Sequence, residues 1–448
     1  MEITITPGAR LVGSIMAPGS KNYTSRFLLA AALADGASTV VNPARIDDAA
    51  AMVDCCRQLG ARITPSPEGF SVVGTAGAPR VPGSPLNVRN AGAVCRFLLA
   101  IGALLPDVRF VTPYPDSLGR RSHADLLAAL ERLGVRVESE GGRLPVRLRG
   151  GPIRGGQVAV SGARSSQFVS ALLLLAPLLP ERTEIKVLDG LVSRPAVEQT
   201  LEVLAAAGVE CEAAADRRRF VLEGGQGYRP GRYVVPGDWP AAAAILCAAA
   251  VAEVGSEVEI TGLLPDRQGE RAVIDALRQM GADVAYDPAQ GAARVRGGRP
   301  LRPLEFDGDR ATDAVMALVA AAAFADGTSR FFGIENLRYK ESDRISDYAA
   351  ALRRLGVDIE ERQSELIVHG RPGKAAGGAT IDAHHDHRLL MGVTIVALAS
   401  RAPVTLSSAE HIAKSYPAFF ADLARLGATI SWPAAYDALA RGVVAERA

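Results

Sequence analysis

Six similar helix ends divide the chain at an almost constant interval. At each one an apolar helical stretch reaches a glycine and an alternating strand follows, as in "CRQLGARI" and "LERLGVRVE". One glycine after a helix is a common left-handed stop and means little alone. The intervals between these glycines are 74, 74, 73, 75 and 71 residues, and the glycines are Gly60, Gly134, Gly208, Gly281, Gly356 and Gly427. We therefore predict six α/β units, each with two helices and several strands.

Each repeat also contains one Ala/Leu-rich segment, such as "RFLLAAALADG" or "SQFVSALLLLAPLLP". Segments that are apolar all round are expected to be buried helices. Polar clusters precede them, among them "PGSKNYTSR", "GARSSQ" and "HHDHR". Each cluster alone is also typical of a solvated loop or helix cap. Six of them at equivalent places favour a shared site, and grouped helix N-termini favour an anionic ligand.

Composition excludes several classes of protein. The 448 residues carry a formal net charge of +1, so no basic face for nucleic acid is expected. The longest apolar runs, Ala241–Ala252 and Ala314–Ala325, have 12 residues each, too few to span a membrane. The N-terminal "MEITITPGAR" is not a signal segment, and the five cysteines form no CxxC pair. We expect a cytoplasmic protein with reduced cysteines.

The common cofactor patterns are missing from the sequence. "HHDHR" contains closely spaced imidazoles, but no second His/Cys group with ligand spacing accompanies it. No Gly-rich loop with GK[ST] and no GxSxG elbow occurs. We therefore expect no metal and no cofactor.

Seven motifs occur in one order between residues 18 and 417: "PGSK…R", "NAG…R", "SSQF", "GLVSRP", "KESDR", "DHR" and "AKSYP". In this combination the chain resembles the enolpyruvyl transferase family, most closely its 3-phosphoshikimate 1-carboxyvinyltransferase (EPSP synthase) branch. The resemblance implies two α/β domains of three similar repeat units each. Residues 1–20 with 238–448 would form the first, discontinuous domain, and residues 21–237 the second.

The resemblance also implies a reaction. The enolpyruvyl group of phosphoenolpyruvate would pass to the 5-hydroxyl of shikimate 3-phosphate, with release of phosphate. This step belongs to the shikimate pathway, which leads to chorismate and the aromatic amino acids, and it is the target of glyphosate. Both substrates are small anions, which accounts for the many arginines and lysines in the motifs. The expected protein is a monomer that binds neither nucleic acid nor membrane.

The resemblance further implies roles for individual residues. Asp313 would accept the proton of the attacking hydroxyl, Glu341 would protonate the methylene carbon, and Lys21 would assist as a third catalytic residue. The residues expected to bind phosphoenolpyruvate are Lys21, Gly92, Arg121, Gln167, Arg344, Arg388 and Lys414. Those expected to bind shikimate 3-phosphate are Lys21, Asn22, Arg26, Ser165, Ser166, Gln167, Ser193, Asp313, Asn336 and Lys340.

Two alternatives stay open at this point. "PGSKN", with Asn22, is the spelling of the sister enzymes, the UDP-N-acetylglucosamine 1-carboxyvinyltransferases. Those enzymes carry a reactive loop Cys, whereas this chain reads "YPDSLGRR" there. The second alternative is a repeat scaffold that binds anions without catalysis. The chain also departs from the usual phosphoshikimate pattern at Ala93, Phe97, Ala196, Trp239 and Pro240.

Overall fold

The chain crosses twice between two structural units. In the computed structural model, which describes residues 1–442, the first unit comprises Met1–Pro18 together with residues 236–442. The second unit comprises Gly19–Val235. Each unit has its own hydrophobic core.

One four-stranded sheet pattern occurs six times among the described residues. In each sheet the first two strands are parallel, and the remaining two are added antiparallel. A parallel pair needs a crossover helix, whereas an antiparallel pair needs only a short turn. The predicted six-fold α/β repeat is therefore confirmed, with three sheets in each unit.

The second unit contains three sheets, in which each strand pairs with the next one named. They are β14 (Arg232–Val234), β3 (Ala37–Val41), β5 (Gly69–Val73) and β4 (Arg62–Ser66); β6 (Leu86–Asn87), β7 (Val108–Val111), β9 (Arg143–Arg149) and β8 (Arg136–Glu140); and β10 (Gly156–Val160), β11 (Thr183–Val187), β13 (Arg219–Leu222) and β12 (Glu212–Ala213).

The first unit has three equivalent sheets and one additional parallel pair. The sheets are β2 (Val12–Met16), β15 (Glu257–Thr261), β17 (Ala292–Arg296) and β16 (Asp283–Asp287); β18 (Glu305–Asp307), β19 (Gly327–Phe332), β21 (Leu366–Gly370) and β20 (Ile359–Glu361); and β23 (Thr380–Asp382), β25 (Val404–Ser407), β1 (Ile3–Thr6) and β26 (Thr429–Ser431). The additional pair is β22 (Ala375–Gly377) and β24 (Ser400–Ala402).

The chain crossings explain three strands that pair far from their sequence neighbours. β2 ends before the chain leaves the first unit, and it pairs with β15, which follows the return. β14 ends the second unit and pairs with β3 near its beginning. β1 completes the last sheet, with Ile3 opposite Leu406. In each unit, strands that are far apart in the sequence thus pair within one sheet.

The first helix of each repeat is buried, as predicted. In the second unit these helices are α1 (Lys21–Leu33), α3 (Gly92–Gly102) and α5 (Ser166–Leu175). In the first unit they are α7 (Trp239–Val251), α9 (Val315–Ala322) and α11 (His387–Leu398), which contact one another. Alanine on all faces of α7 allows this close packing.

The second helix of each repeat ends at one of the six predicted glycines. The helices are α2 (Asp47–Gln58), α4 (Ala124–Arg132), α6 (Arg194–Ala206), α8 (Val273–Gln279), α10 (Ser346–Arg354) and α12 (Phe419–Arg425), and α13 (Ala435–Ala440) follows. All six glycines have positive φ, from 75° at Gly208 to 112° at Gly427. Only glycine adopts this conformation without strain. The predicted left-handed stops are therefore confirmed.

Six short 3₁₀ helices connect these elements in the part of the chain that the structure describes. They are Leu118–Arg120, Ala176–Leu178, Gly269–Ala272, Gly308–Ala314, Glu335–Tyr339 and Ala409–Lys414. Within residues 1–442, no helix is long and apolar enough to cross a membrane. Three of the 3₁₀ helices carry predicted site residues, namely Asp313 in Gly308–Ala314, Asn336 in Glu335–Tyr339 and Lys414 in Ala409–Lys414.

Candidate active site

Asp386 anchors the start of α11 in the first unit. Its carboxylate accepts a hydrogen bond from the backbone N–H of Arg388 at 2.8 Å, so Asp386 caps the helix. The same buried carboxylate accepts from Arg344, with Nε–Oδ2 at 2.8 Å and Nη2–Oδ1 at 3.2 Å. Ser342 Oγ donates to it at 3.2 Å. This two-point contact fixes the plane of the Arg344 guanidinium.

Arg344 also bonds both predicted proton-transfer residues. Nη1 lies 3.0 Å from Asp313 Oδ1, and Nη2 lies 2.9 Å from Glu341 Oε2. Burial acts to lower the pKa of Arg344, but the carboxylates of Asp386, Glu341 and Asp313 raise that pKa above its ordinary value. Arg344 therefore stays a cation although it is almost fully buried.

Arg388 and Lys414 complete this cluster. Arg388 Nη2 lies 3.3 Å from Asp313 Oδ2, and Lys414 Nζ lies 3.0 Å from Glu341 Oε1. Asp313 thus contacts two cations, Arg344 and Arg388, and Glu341 contacts Arg344 and Lys414. The structure brings five of the predicted site residues together at this point. The cluster can hold two carboxylates for proton transfer beside three cations able to bind an anion.

Glu270 joins the same cluster from the 3₁₀ turn Gly269–Ala272. Its Oε1 accepts a hydrogen bond from the backbone N–H of Asp313 at 3.3 Å. Burial and the nearby charge of Asp313 raise the pKa of Glu270 to about 7, and Arg388 opposes the shift. Glu270 is absent from the residues predicted by sequence.

Asn336 and Lys340 occupy a neighbouring part of the first unit. Asn336 is buried in the 3₁₀ helix Glu335–Tyr339, and Lys340 directly follows that helix with a half-buried side chain. Lys340 precedes Glu341 in the chain. The backbone therefore places Lys340 next to the cluster. Asn336 lies four residues before Lys340, in the preceding 3₁₀ helix.

In the second unit, the buried Arg26 lies in the second turn of α1. Its Nε donates to Thr200 Oγ1 at 2.8 Å, its Nη1 to the Asn22 carbonyl at 2.9 Å, and its Nη2 to the Ala196 carbonyl at 3.0 Å. Its Cζ lies 4.9 Å from the centroid of the Phe97 ring. Phe97 is one of the departures from the usual phosphoshikimate pattern, and its ring forms one wall of the site that holds the Arg26 guanidinium.

Arg26 has no carboxylate partner among the described residues. Burial lowers the pKa of Arg26 to about 10, and only Tyr23 acts in the opposite direction. Three bonds use three of the five N–H groups of a guanidinium, which leaves donor capacity for an added anion. Lys21 and Asn22, the first two residues of α1, have half-buried side chains near this end of the helix.

The start of α5 combines hydroxyl groups with a guanidinium. Ser165 caps the helix and accepts from the backbone N–H of Gln167 at 3.3 Å, and Ser166 is its first residue. Arg96 Nη1 donates to Gln167 Oε1 at 2.6 Å and to Ser165 Oγ at 3.3 Å. Hydroxyls, a cation and a helix N-terminus together form a favourable environment for a phosphate group.

Gly92 begins α3 beside two guanidinium groups. A Cβ atom at this position would lie 3.2 Å from Arg121 Nη1 and 3.8 Å from Arg96 Nη1. Burial, followed by the charges of Arg96 and Arg121, lowers the pKa of the neighbouring His123 to about 3. The glycine leaves space beside the Arg121 guanidinium, since a Cβ atom would lie within 3.2 Å of it.

Ser193 precedes α6 in a left-handed conformation, with φ of 50° and ψ of 48°. This conformation is unfavourable for a residue with a side chain and is often found at functional sites. Ser193 is one of the residues predicted to bind the phosphate of shikimate 3-phosphate. Its backbone geometry is consistent with a specific placement of the hydroxyl.

His385 of the "HHDHR" segment lies beside His411 of the 3₁₀ helix Ala409–Lys414. His385 Nδ1 and His411 Nε2 lie 2.8 Å apart, and both His384 and His385 have positive φ. Among residues 1–442, no group of three or more His, Cys, Asp or Glu side chains is arranged to hold a metal ion.

A family model matches most of the chain. The model described as EPSP synthase (3-phosphoshikimate 1-carboxyvinyltransferase) matches residues 5–423. The chain belongs to the EPSP synthase family. It is 47% identical over 432 residues to a 3-phosphoshikimate 1-carboxyvinyltransferase from Deinococcus radiodurans, with 96% of this chain and 97% of the relative covered. A Burkholderia pseudomallei protein of the same name is 40% identical, with 94% and 93% covered.

Solved structures show the same fold. EPSP synthase from Acinetobacter baumannii matches with a TM-score of 0.82 and 27% identity, covering 96% of this chain and 100% of that one. The enolpyruvyl transferase NikO from Streptomyces tendae matches with a TM-score of 0.77 and 22% identity, covering 96% and 98%. The predicted enolpyruvyl transferase-like fold is therefore confirmed.

Three residues of this EPSP synthase family member join the clusters without having been predicted as site residues. Arg96 and Asp386 lie inside the motifs "NAG…R" and "DHR", so the motifs themselves contained a signal for both. Glu270, in "DRQGE", lies outside every motif that carried the resemblance. Only the folded chain brings Glu270 to Asp313.

Proposed function

We propose that this chain transfers the enolpyruvyl group of phosphoenolpyruvate to the 5-hydroxyl of shikimate 3-phosphate and releases phosphate. Membership of the EPSP synthase family supports this reaction, as do the names of the relatives. The observation that carries the proposal is the cluster in which Arg344 holds the carboxylates of Asp313 and Glu341. Two positioned carboxylates suit a reaction with two proton transfers.

In the first step, the 5-hydroxyl oxygen attacks C2 of phosphoenolpyruvate. Asp313 accepts the hydroxyl proton, and Glu341 donates a proton to the methylene carbon C3, which gives a tetrahedral intermediate. In the second step the Glu341 carboxylate takes a proton back from C3, the C2–C3 double bond forms again, and the C2–O bond to phosphate breaks, while the proton held by Asp313 passes to the departing phosphate. Lys21 stabilises charge during these steps. The enol ether of shikimate 3-phosphate and free phosphate result.

We assign the anion contacts to the predicted residues. The binding set for phosphoenolpyruvate is Lys21, Gly92, Arg121, Gln167, Arg344, Arg388 and Lys414. The binding set for shikimate 3-phosphate is Lys21, Asn22, Arg26, Ser165, Ser166, Gln167, Ser193, Asp313, Asn336 and Lys340. Arg26 has three bonds to uncharged oxygens, and this supports its assignment to the shikimate carboxylate.

Asn22 alone favours the sister reaction with UDP-N-acetylglucosamine. Its backbone carbonyl accepts from Arg26 Nη1, so the residue lies beside the proposed carboxylate site. An asparagine amide donates a hydrogen bond as a serine hydroxyl does. The substitution is therefore compatible with shikimate 3-phosphate, and "SSQF" and "KESDR" favour that substrate.

A phosphate-release assay tests the proposal. The protein is incubated with phosphoenolpyruvate and either shikimate 3-phosphate or UDP-N-acetylglucosamine, without added metal or nucleotide. We expect release only with shikimate 3-phosphate and no effect of fosfomycin. Release with the UDP-sugar alone would contradict the proposal. We further propose a cytoplasmic monomer that needs no cofactor, and light scattering on the purified protein tests the monomer.

Asp313→Ala tests the proposed base. Turnover should fall about a hundredfold or more, as expected for loss of a general base. Asp275→Ala is the control, because Asp275 is an exposed carboxylate of the same unit whose ion pair, at 3.2 Å, is with Arg278. Near-normal turnover of Asp313→Ala, measured by phosphate release, would remove Asp313 from this role.

A further inference from the structure

Glu270 makes a contact that the reaction outlined above does not use. Its buried carboxylate accepts the backbone N–H of Asp313, and the two residues are 43 positions apart in the chain. The segment Gly308–Ala314 is irregular, since Ala311 has φ of −153° and ψ of 61°. A buried N–H in such a segment needs an acceptor from outside. Glu270 supplies one at the residue proposed as the base.

The charge of Glu270 also acts on Asp313. The charged groups that face Glu270 are Asp313, from the 3₁₀ helix Gly308–Ala314, and Arg388, from α11. Asp313 is held as a carboxylate by Arg344 and Arg388. A second carboxylate nearby resists ionisation. Burial and Asp313 together raise the pKa of Glu270 to about 7, so its charge changes within the neutral pH range.

We propose that Glu270 is a positioning residue for Asp313, holding its main chain and strengthening it as a base by placing a second negative charge beside it. This inference rests on the proposed function, in which Asp313 accepts the proton of the 5-hydroxyl. Below neutral pH, Glu270 is protonated and acts only through its hydrogen bond. Above neutral pH its negative charge favours proton transfer to Asp313.

The pH dependence of turnover separates this role from a purely structural one. Glu270→Gln keeps an acceptor oxygen but carries no charge, so it copies the protonated residue at every pH. The ratio of wild-type to Glu270→Gln kcat should stay near one at about pH 6 and rise about three- to tenfold by about pH 8.5. The matched control is Glu305→Gln, at a carboxylate of the same unit that is 74% exposed. A ratio that does not change with pH would overturn the proposal.

Glu270→Asp tests the main-chain contact. The shorter side chain keeps the charge but withdraws the acceptor from the Asp313 N–H. We expect kcat to fall severalfold at all pH values while its rise with pH persists. A variant with wild-type kcat would overturn the positioning part of the proposal, and loss of the rise would overturn the electrostatic part.

Stability provides a readout that does not depend on activity. The folded-state pKa of Glu270 lies above the ordinary carboxyl value, so the native state binds more protons than the unfolded state between those two values. Proton binding by Glu270 therefore contributes to the free energy of unfolding. This contribution is complete below the pKa of Glu270 in the unfolded state and is lost as pH rises through about 7. In urea unfolding, wild type should therefore lose stability relative to Glu270→Gln between about pH 5 and 8. A difference in the free energy of unfolding between wild type and Glu270→Gln that does not change with pH would contradict the proposed ionisation of Glu270.

Asp313→Ala distinguishes failure of this inference from failure of the proposed function. Near-normal turnover of Asp313→Ala removes the base itself, and this inference falls with it. A strong loss in Asp313→Ala combined with an unchanged pH profile in Glu270→Gln overturns only the role of Glu270. A strong loss with the expected change of profile supports both.

Discussion

Arg344 in the first unit and Arg26 in the second have almost the same exposure, 2% and 1%. Their surroundings differ in charge. Arg344 bonds three carboxylates, those of Asp313, Glu341 and Asp386, and its pKa is raised. Arg26 bonds one hydroxyl and two carbonyls, and burial lowers its pKa to about 10. Each unit therefore buries an arginine, but only the arginine of the first unit lies among carboxylates.

The difference indicates a division of labour. In the first unit the cations orient the carboxyl groups of Asp313 and Glu341, and the proposed proton transfers need this orientation. In the second unit the desolvated charge of Arg26 lacks a countercharge among the described residues, and we propose that the carboxylate of shikimate 3-phosphate supplies one. Burying an unpaired cation is costly, so a ligand carboxylate at this position gains a strong interaction. We expect substitutions in the two units to affect different properties.

The largest expected effect is on stability. Arg344→Met leaves the buried Asp386 carboxylate without its cation, which should lower the free energy of unfolding by about 3–5 kcal/mol. Arg26→Met is the matched substitution in the second unit. It should lower the free energy of unfolding by about 1 kcal/mol, because neutral oxygens left without the guanidinium find other hydrogen-bond donors more easily than a buried carboxylate does. Ala196, for example, keeps a bond from the Thr200 hydroxyl at 3.0 Å. Equal losses in urea unfolding would contradict the comparison.

Asn22→Asp should make the second unit resemble the first. The added carboxylate would lie beside Arg26 and compete with the carboxylate of shikimate 3-phosphate. Affinity for that substrate should fall about thirtyfold, the loss of one charge-assisted contact. Asn22→Ser is the control, and activity should stay within about tenfold of wild type because one neutral hydrogen bond is exchanged. If calorimetry shows that Asp is tolerated as well as Ser, Asn22 does not face the carboxylate.

Gly92→Ala should have a smaller and more selective effect. The new methyl group would lie 3.2 Å from Arg121 Nη1, which narrows the space beside that guanidinium. The inhibitory concentration of glyphosate should rise about tenfold more than the KM for phosphoenolpyruvate, because overpacking penalises the larger ligand. Gly83→Ala is the control, since a Cβ there has no atom within 4 Å. If the ratio of the glyphosate inhibitory concentration to the KM for phosphoenolpyruvate does not change, glyphosate does not bind beside Gly92.

Local rules made the repeat predictable. A helix that must stop before an alternating strand uses a left-handed glycine, and Gly60 and Gly427 have φ of 106° and 112°. Glu341 lies in the motif "KESDR", whereas Asp313 lies outside the seven motifs that carry the family resemblance. Features that depend on a few neighbouring residues can be read from one sequence.

Long-range contacts were not predictable in this way. Arg96 meets Gln167 across 71 positions, Glu270 meets Asp313 across 43, and β1 completes a sheet with β25, near the opposite end of the chain. These contacts depend on how the helices and sheets pack, and no local pattern encodes them. The charge environment of Arg26 also required the structure, because neutral and charged partners cannot be distinguished from spacing.

Calorimetric titration of shikimate 3-phosphate into Arg26→Met and Asp313→Ala tests the division of labour most directly. Arg26→Met should bind this substrate at least about tenfold more weakly, the effect of losing a charged hydrogen-bond donor. Asp313→Ala should bind it within about fivefold of wild type, because the base acts chiefly in the transition state. The reverse order of the two affinities would contradict the account.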